Sequence, residues 1–280
     1  MLCFDLSHSF ARIRVQGSNR ADFLHRMSTG DLARIQPGEV CHTAFTTPIG
    51  RMVDLATVVA FENSLLMLSS YVHREKLLRW LRKYVFFNDD VQFSDESQIL
   101  SHIGVFDIDD STPTPMIEAI QKNTQGVFPN ATFAVATQPL GYAGWHMIGL
   151  SEVPVVDPLA KYEDLRIRHG VASAPNEINE DYIPLEAGLW GAVSFNKGCY
   201  IGQEIIARME ARGQLAKKLM CLQTQVGAAV GDDLISGNDN VGKLTSVTPN
   251  GTYALGYVRS AFAHQGQKLK THTGNDITVL

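Results

Sequence analysis

The chain has little cysteine for its length, and the four cysteines it has are widely separated. Cys3, Cys41, Cys199 and Cys221 are spread over 280 residues, and no two of them stand at the C-x-x-C spacing of a metal site. Scattered cysteines in a chain of this size do not suggest a disulfide framework. The sequence therefore predicts reduced thiols, a cytoplasmic location and no metal site formed by cysteine pairs.

Long apolar runs and an excess of positive charge are also missing. The longest apolar stretch, residues 52–61, contains Asp54 and is far shorter than the roughly 20 residues that cross a bilayer. The first residues carry acidic and histidine side chains and no basic lead, so we expect no secretory signal. A net charge of −5 gives no overall attraction to nucleic acid or anionic lipid. We expect neither membrane association nor direct sequence-specific binding of nucleic acid.

One cluster of acids is a weak candidate for a metal site. Asp107, Asp109 and Asp110 lie close together, but they lack the spacing that places oxygen ligands around calcium. A solvated loop is the favoured interpretation of these acids, with a helix expected near Met116 to Lys122.

Size and local patterns predict an α+β protein with two parts. The chain is long enough to bury a large core, and 45% of its residues are hydrophobic. Helical spacing over residues 71–86 contrasts with strand-like alternation on both sides of it. After Gly213 the pattern changes to short strands and turns, and Asn250-Gly251 is a strong hairpin signal. We expect one domain over residues 1–212 and a small all-β domain over residues 213–280.

The segment from Asn196 to Arg208, NKGCYIGQEIIAR, combines a cysteine with glycines and charged residues. Two glycines allow tight backbone geometry on either side of Cys199, and a helix is expected to begin at Gln203. The positive end of that helix and the nearby Lys197 would both favour a thiolate. The same backbone N–H groups suit a carboxylate or phosphate. One interpretation is therefore a reactive or ligand-contacting cysteine.

A second interpretation makes Cys199 a small buried residue in a tight turn, because free cysteine is among the most buried residue types. The residues alone leave both interpretations open. The polar neighbours favour the first, since a core turn needs fewer of them. Glu204 and Arg208 have the i, i+4 spacing of a helical ion pair.

Two acids stand in apolar surroundings upstream of this segment. Glu186 lies in PLEAGLW, where a carboxylate is either paired or ligand-bound, or else faces water on a short helix. Asp54 lies in an apolar strand, where it either contacts a ligand or faces water at a sheet edge. Neither alternative is decided by the residues themselves.

The run Lys197 to Glu204 resembles the K-G-C-[FY]-x-G-Q-E signature of the YgfZ family. Members of this family are folate-binding proteins related to the glycine-cleavage T-protein, an aminomethyltransferase. The resemblance extends over most of the chain. The further matching segments are Phe4 to His8, Gly17 to Asp31, Pro184 to Leu189, Val241 to Ser246 and Ala254 to Val258.

The resemblance implies a three-lobed, T-protein-like folate-binding fold with a central folate site and a C-terminal β-barrel. It implies a role in iron–sulfur cluster assembly or repair, with iron–sulfur client or assembly proteins as partners. It also implies an effect on tRNA modification, exerted through a radical iron–sulfur enzyme. The signature cysteine is expected to matter for activity, and the cofactor is expected to be tetrahydrofolate or a one-carbon derivative.

Two departures from the aminomethyltransferase pattern argue against glycine-cleavage chemistry. The G-G-x-x-D-D-L strand is matched by residues 50–55, in which Asp54 is the only acid. The L-R-x-E-x-G motif is matched by residues 165–170, in which Arg168 stands where that family places an acid on the pterin side. Reversal of a charge at a ligand contact changes what can bind there.

The resemblance and the residue chemistry together give a set of candidate site residues. Cys199 is the expected functional thiol. The expected folate contacts are Arg51, Asp54, Arg166, Arg168, Glu186, Lys197, Tyr200 and Gln203. The cations would meet the glutamate tail and the acids would accept from the pterin N–H groups. A cluster usually needs about four ligands, so we expect no stably bound cluster.

Two alternatives to the accessory role stay open. The chain could be a folate-dependent aminomethyl- or methyltransferase, although loss of the second acid predicts no aminomethyl transfer. It could also be a binding module in which folate is a structural ligand that controls partner docking.

Overall fold

The structure is a computed structural model that describes residues 2–106, 133–137, 140, 144–149 and 156–280. Asp107, Asp109 and Asp110 and the helix expected near Met116 to Lys122 lie outside these residues. Within the described ranges, no helix is long and apolar enough to cross a membrane.

The described residues form four α-helices and fifteen strands arranged in three β systems. The helices are α1 (Arg20–Met27), α2 (Arg74–Arg82), α3 (Leu159–Arg168) and α4 (Gln203–Arg212). The strands are β1 (Leu2–Asp5), β2 (Phe10–Gln16), β3 (Val40–Thr46), β4 (Met52–Ala60), β5 (Leu65–Ser70), β6 (Gln92–Asp95), β7 (His102–Phe106), β8 (Phe133–Thr137), β9 (Gly144–Ile148), β10 (Lys217–Gln223), β11 (Asp233–Ser236), β12 (Asp239–Val247), β13 (Tyr253–Arg259), β14 (Lys268–Thr271) and β15 (Asp276–Val279).

The first lobe is a five-stranded antiparallel sheet with the order β3-β4-β5-β2-β6. Two helices cover one face of it, because α1 buries Phe23 and Leu24 while α2 buries Leu77 and Leu81 in the same core as Ile13 of β2. The other face meets the second lobe, a four-stranded sheet with the order β1-β7-β9-β8. The two sheets therefore stand against each other.

The third lobe is a closed barrel with the order β10-β13-β12-β11-β14-β15. Its core is apolar and includes Leu222, Val241 and Ile277. The preceding helix α4 ends at Gly213, which caps it in the left-handed conformation with φ of 62°. The mixed α and β content and the C-terminal barrel confirm the α+β class expected from the sequence.

A long segment, residues 169–202, joins α3 to α4 and connects the lobes. It contacts the first lobe, where the N–H of Met52 donates to the carbonyl of Tyr182 at 2.9 Å. It also contacts the barrel, where the N–H of Leu219 donates to the carbonyl of Glu186 at 2.8 Å. Tyr182 stacks on Tyr257 of β13, with ring centroids 3.4 Å apart. This connecting segment is therefore fixed on both sides.

Candidate functional site

A cavity of about 620 Å³ lies between the two sheets, α3 and the connecting segment. Its volume falls within the range of small-molecule and cofactor sites. The apolar part of its wall includes Leu55, Val171, Ala172, Ile178 and Leu189. The polar part includes His8, His42, His146, Glu163, Arg166 and Ser173. A wall that combines apolar and polar groups suits a small organic ligand.

Arg166 is the one predicted contact residue in the cavity wall as far as the structure describes it. Its guanidinium is buried and donates to Glu163 at 2.6 Å, to Glu177 at 3.2 Å and to Ser246 of the barrel at 3.0 Å. Burial of a charge is costly unless it is paired, and here two carboxylates compensate it. Arg166 therefore ties α3 to the connecting segment and to the barrel at the edge of the cavity.

Two histidines of the cavity wall, His42 and His146, are polar but uncharged near neutral pH. His42 Nδ1 lies 2.9 Å from Thr57 Oγ1, and burial lowers the pKa of His42. His146 Nδ1 lies 2.5 Å from Nε2 of His102, which lies behind the wall. Burial lowers the pKa of His146 to about 4, and it holds the pKa of His102 well below its usual value.

Asp54 lies behind the cavity wall. Its side chain is 0% exposed, and by strand alternation it points to the face of β4 opposite Leu55. The carboxylate accepts from the Ser70 hydroxyl at 2.6 Å and from the Ser70 N–H at 3.1 Å. Since Ser70 lines the cavity, Asp54 positions a wall residue. A direct contact between Asp54 and a ligand stays a prediction.

Arg51 and Glu186 lie next to each other, outside the described cavity wall. Arg51 Nη1 lies 3.6 Å from Glu186 Oε2 and donates to the carbonyl of Asp181 at 2.7 Å. Glu186 also accepts from the N–H of Ile183 at 3.1 Å, and burial raises its pKa. Of the sequence-based alternatives for Glu186, the structure favours the paired carboxylate, and folate contacts from this pair stay predictions.

Arg168 is directed to the barrel. Its Nε donates to Asp164 at 2.7 Å, and its guanidinium carbon lies 4.3 Å from the centre of the Tyr253 ring. These contacts fasten α3 to β13. The charge that replaces the acid of the aminomethyltransferases is therefore used between lobes, and a folate contact of Arg168 stays a prediction.

Lys197 of the signature segment is buried and serves the first lobe. Its ammonium donates to the backbone carbonyls of His25, Ser28 and Gly30. Burial lowers the pKa of Lys197 to about 8. An ammonium with three carbonyl partners has no N–H left for a ligand. In this structure the Lys197 ammonium is therefore engaged by the protein itself, and a contact with the folate tail stays a prediction.

The signature segment packs on the hairpin between β3 and β4. Gly202 adopts φ of 84°, and a Cβ atom there would come within 2.6 Å of Thr46 Oγ1 and of the Thr47 carbonyl. The Thr46 hydroxyl donates to the carbonyl of Ile201 at 2.6 Å. Glycine at this position is therefore needed for close packing as well as for its backbone conformation.

Tyr200 and Gln203 line an open cleft of about 370 Å³, together with Pro48 and Tyr84. The described residues of this cleft are not those of the central cavity. The structure thus separates these two predicted contacts from Arg166, and their binding of folate stays a prediction.

Cys199 is exposed, and it makes no hydrogen bond with any residue that the structure describes. The helix after it begins at Gln203, which confirms the expected start. Glu204 and Arg208 are both exposed on α4 and form no ion pair with each other, so that expectation was wrong. Exposure of the thiol excludes the interpretation of Cys199 as a buried turn residue.

Three residues of the cavity wall escaped the sequence analysis. His42, Glu163 and His146 come from β3, α3 and β9, and the cavity brings them together. A histidine in a strand pattern carries no signal of what it faces across a sheet. Among the described residues, no group of three or more His, Cys, Asp or Glu side chains is placed to hold a metal ion.

The three lobes around a central cavity define a T-protein-like fold. Residues 2–106 match the GCVT N-terminal domain. The crystal structure of the glycine cleavage system aminomethyltransferase T from Bartonella henselae matches with a TM-score of 0.78 and 18% identity, and covers 99% of this chain and 84% of that chain. This likeness shows the fold.

The relatives place the chain in a family. A putative chloroplastic transferase of Arabidopsis thaliana is 30% identical over 98% of this chain and 68% of its own length. An aminomethyltransferase of Nostoc is 28% identical over 95% of this chain and 79% of its own length. The chain belongs to the T-protein-like family of aminomethyltransferase relatives.

Proposed function

We propose that the chain is a tetrahydrofolate-binding accessory protein of the YgfZ branch that acts in iron–sulfur cluster assembly or repair. Through iron–sulfur enzymes it affects tRNA modification, and Cys199 is its functional thiol. The observation that carries this proposal is the exposure of Cys199. Its neighbours Lys197, Tyr200 and Gly202 are buried, whereas the thiol contributes nothing to packing that the structure describes.

The central cavity supports folate as the ligand. Its volume suits a ligand of this size, and Leu55 and Ile178 belong to an apolar wall against which a pterin ring could stack. Ser173, His146 and Arg166 are the wall residues that would orient the polar groups of the ligand. When bound, tetrahydrofolate would supply a one-carbon carrier or a planar ligand whose presence controls docking of a partner.

The acids of the cavity support an accessory role over aminomethyl transfer. Glu163 is the carboxylate in the described wall, and Arg166 engages it at 2.6 Å. Asp54 is occupied by Ser70. General acid–base catalysis needs a group within hydrogen-bond reach of the reacting atoms, whereas Asp54 is buried behind the wall and Glu163 is paired with Arg166.

The exposed thiol supports protein partners. Thiolates suit iron–sulfur chemistry, and a thiol at the surface can approach a cluster or a thiol of a second protein. The proposed partners are therefore iron–sulfur client or assembly proteins. The proposed compartment is the cytoplasm, because all four cysteines are unpaired thiols in the structure.

A folate-dependent aminomethyl- or methyltransferase is the second candidate. Its relatives favour it, because an aminomethyltransferase of Nostoc is 28% identical over 95% of this chain. Transfer of a one-carbon group from an aminomethylated donor to tetrahydrofolate by the purified chain would establish it. Absence of turnover, with tetrahydrofolate bound, would leave the accessory role.

The decisive experiment compares two thiol variants in cells that lack the endogenous protein. Cys199→Ser is expected to restore the activity of an iron–sulfur tRNA-modifying enzyme at least fivefold less than the parent chain. Cys221→Ser is the matched control, because Cys221 is half-buried on β10. Full restoration by Cys199→Ser would overturn the thiol role and leave a binding module with folate as its structural ligand.

A further inference from the structure

Two histidines from neighbouring strands form a buried pair at the cavity wall. His102 lies on β7 and His146 lies on β9, and both side chains are buried. His102 Nε2 and His146 Nδ1 are 2.5 Å apart. His146 lines the cavity, whereas His102 lies behind it. The His146 ring in the wall is therefore held by the His102 ring behind it.

Only one hydrogen atom fits between the two rings. At neutral pH each ring is uncharged and carries one N–H. In the first arrangement His102 Nε2 donates, which leaves its Nδ1 bare and places the second N–H on His146 Nε2. In the second arrangement His146 Nδ1 donates, which places an N–H on His102 Nδ1 and leaves His146 Nε2 bare.

The surroundings of His102 select the first arrangement. His102 Nδ1 is buried and has no hydrogen-bond partner among the described residues. A buried N–H without a partner is rarer in proteins than an acceptor without a donor. His102 Nδ1 is therefore bare.

Aromatic neighbours hold the pair in place. The ring of Phe10 lies 5.0 Å from that of His102 and 5.3 Å from that of His146, measured between centroids. Phe106 packs edge to face against His146, with centroids 6.3 Å apart. These contacts restrict rotation of both rings, so the direction of the His146 N–H is fixed before a ligand enters.

We propose that His146, oriented by His102, is a fixed hydrogen-bond donor that selects cavity ligands carrying an acceptor atom at this position. His146 Nε2 has no protein partner within the described part of the chain, and it belongs to a residue of the cavity wall. The acceptor would be a carbonyl oxygen or an unprotonated ring nitrogen. That the ligand is a folate rests on the proposed function.

Nitrogen NMR of the ligand-free protein tests the hydrogen placement directly. In long-range proton–nitrogen spectra at pH 7, we expect pyrrole-type shifts for Nε2 of both histidines and pyridine-type shifts for both Nδ1 atoms. A pyridine-type shift at His146 Nε2 would overturn the proposal. His146→Gln and His102→Gln assign the signals by removing one ring each.

Binding of tetrahydrofolate tests the selection. His146→Phe keeps a planar ring but removes the donor, and we expect its Kd to rise about tenfold. His146→Gln can place an amide N–H near the same position, and we expect its Kd to stay within threefold of the parent value. Circular dichroism of both variants checks that they are folded.

The donor role of His146 and the proposed binding of folate would fail in different experiments. Equal Kd values for the parent chain and His146→Phe would overturn the donor role of His146 while folate binding stands. If the parent chain binds no tetrahydrofolate, the proposed function fails, whereas the NMR spectra still decide between the two hydrogen arrangements.

Discussion

The wall of the central cavity and the signature segment use their polar groups in different ways. In the cavity wall, Arg166 is neutralised by carboxylates and His146 is supported by His102, so a preformed and nearly neutral surface faces the ligand. In the signature segment, Lys197 is used for packing, while Cys199 is exposed. The cavity wall therefore suits binding of a ligand, and the signature segment suits contact with another molecule.

The hairpin of β3 and β4 joins these two regions. His42 of β3 lines the cavity, and Thr46 at the end of the same strand bonds to Ile201 of the signature segment. Four residues of extended strand separate these positions by about 13 Å. A ligand in the cavity and a partner at the thiol would therefore contact opposite ends of one rigid element.

The largest expected effect comes from removing the Lys197 ammonium. Lys197→Met removes the ammonium donor from three carbonyl oxygens, two of which accept in buried hydrogen bonds, so we expect a loss of about 4 kcal/mol in the free energy of unfolding. Urea denaturation measures it. Lys218→Met, at an exposed position of β10, is the control and should change stability by less than about 0.5 kcal/mol. Equal effects would show that the three carbonyl bonds do not hold the signature segment.

The second effect concerns the contact between the signature segment and the hairpin. Gly202→Ala is expected to cost about 3 kcal/mol, because left-handed strain adds to overpacking against Thr46 and Thr47. Gly213→Ala is the matched control, since its φ is 62° and no atom lies within 4 Å of its would-be Cβ. Its cost should be about 1 kcal/mol. Chemical denaturation of both variants separates strain from packing.

The third effect is a loss of stability at acid pH that arises from His146 in the cavity wall. The pKa of His146 is lowered to about 4 from 6.5, so the unfolded chain binds more protons between these values and stability falls as pH falls. From pH 6.5 to 5 this contributes about 2 kcal/mol. Between pH 7.5 and 5, the free energy of unfolding of His146→Gln should therefore fall by about 2 kcal/mol less than that of the parent chain. His42 and His102 are present in both proteins. An unchanged pH profile would contradict a neutral buried His146.

Several features followed from the sequence because they are local. The start of α4 at Gln203, the all-β character of residues 213–280 and the turn at Asn250-Gly251 each depend on neighbouring residues. Closure of those strands into a barrel was implied by the family resemblance. Even here the turn is wider than a two-residue loop, since the N–H of Thr248 donates to the carbonyl of Tyr253 at 2.8 Å and its hydroxyl accepts from the N–H of Tyr253.

Other features could not be predicted, because they depend on how distant elements meet. The pair of His102 and His146 needs the register of β7 against β9, which are far apart in the chain. The motif position of Arg168 predicts a ligand contact, and it carries no signal that the guanidinium lies over the Tyr253 ring of the barrel. The sequence left a ligand contact and a water-facing edge position both open for Asp54, and only the structure shows that its carboxylate is buried and bonded to Ser70.

The smallest expected effect is the most direct test of the separation between cavity and thiol. The measurement is the Kd for tetrahydrofolate of Cys199→Ser compared with that of the parent chain, by calorimetry under reducing conditions. Because the described cavity wall does not include Cys199, the two Kd values should agree within twofold. A Kd raised tenfold or more in the variant would show that the thiol belongs to the folate site and would contradict the separation.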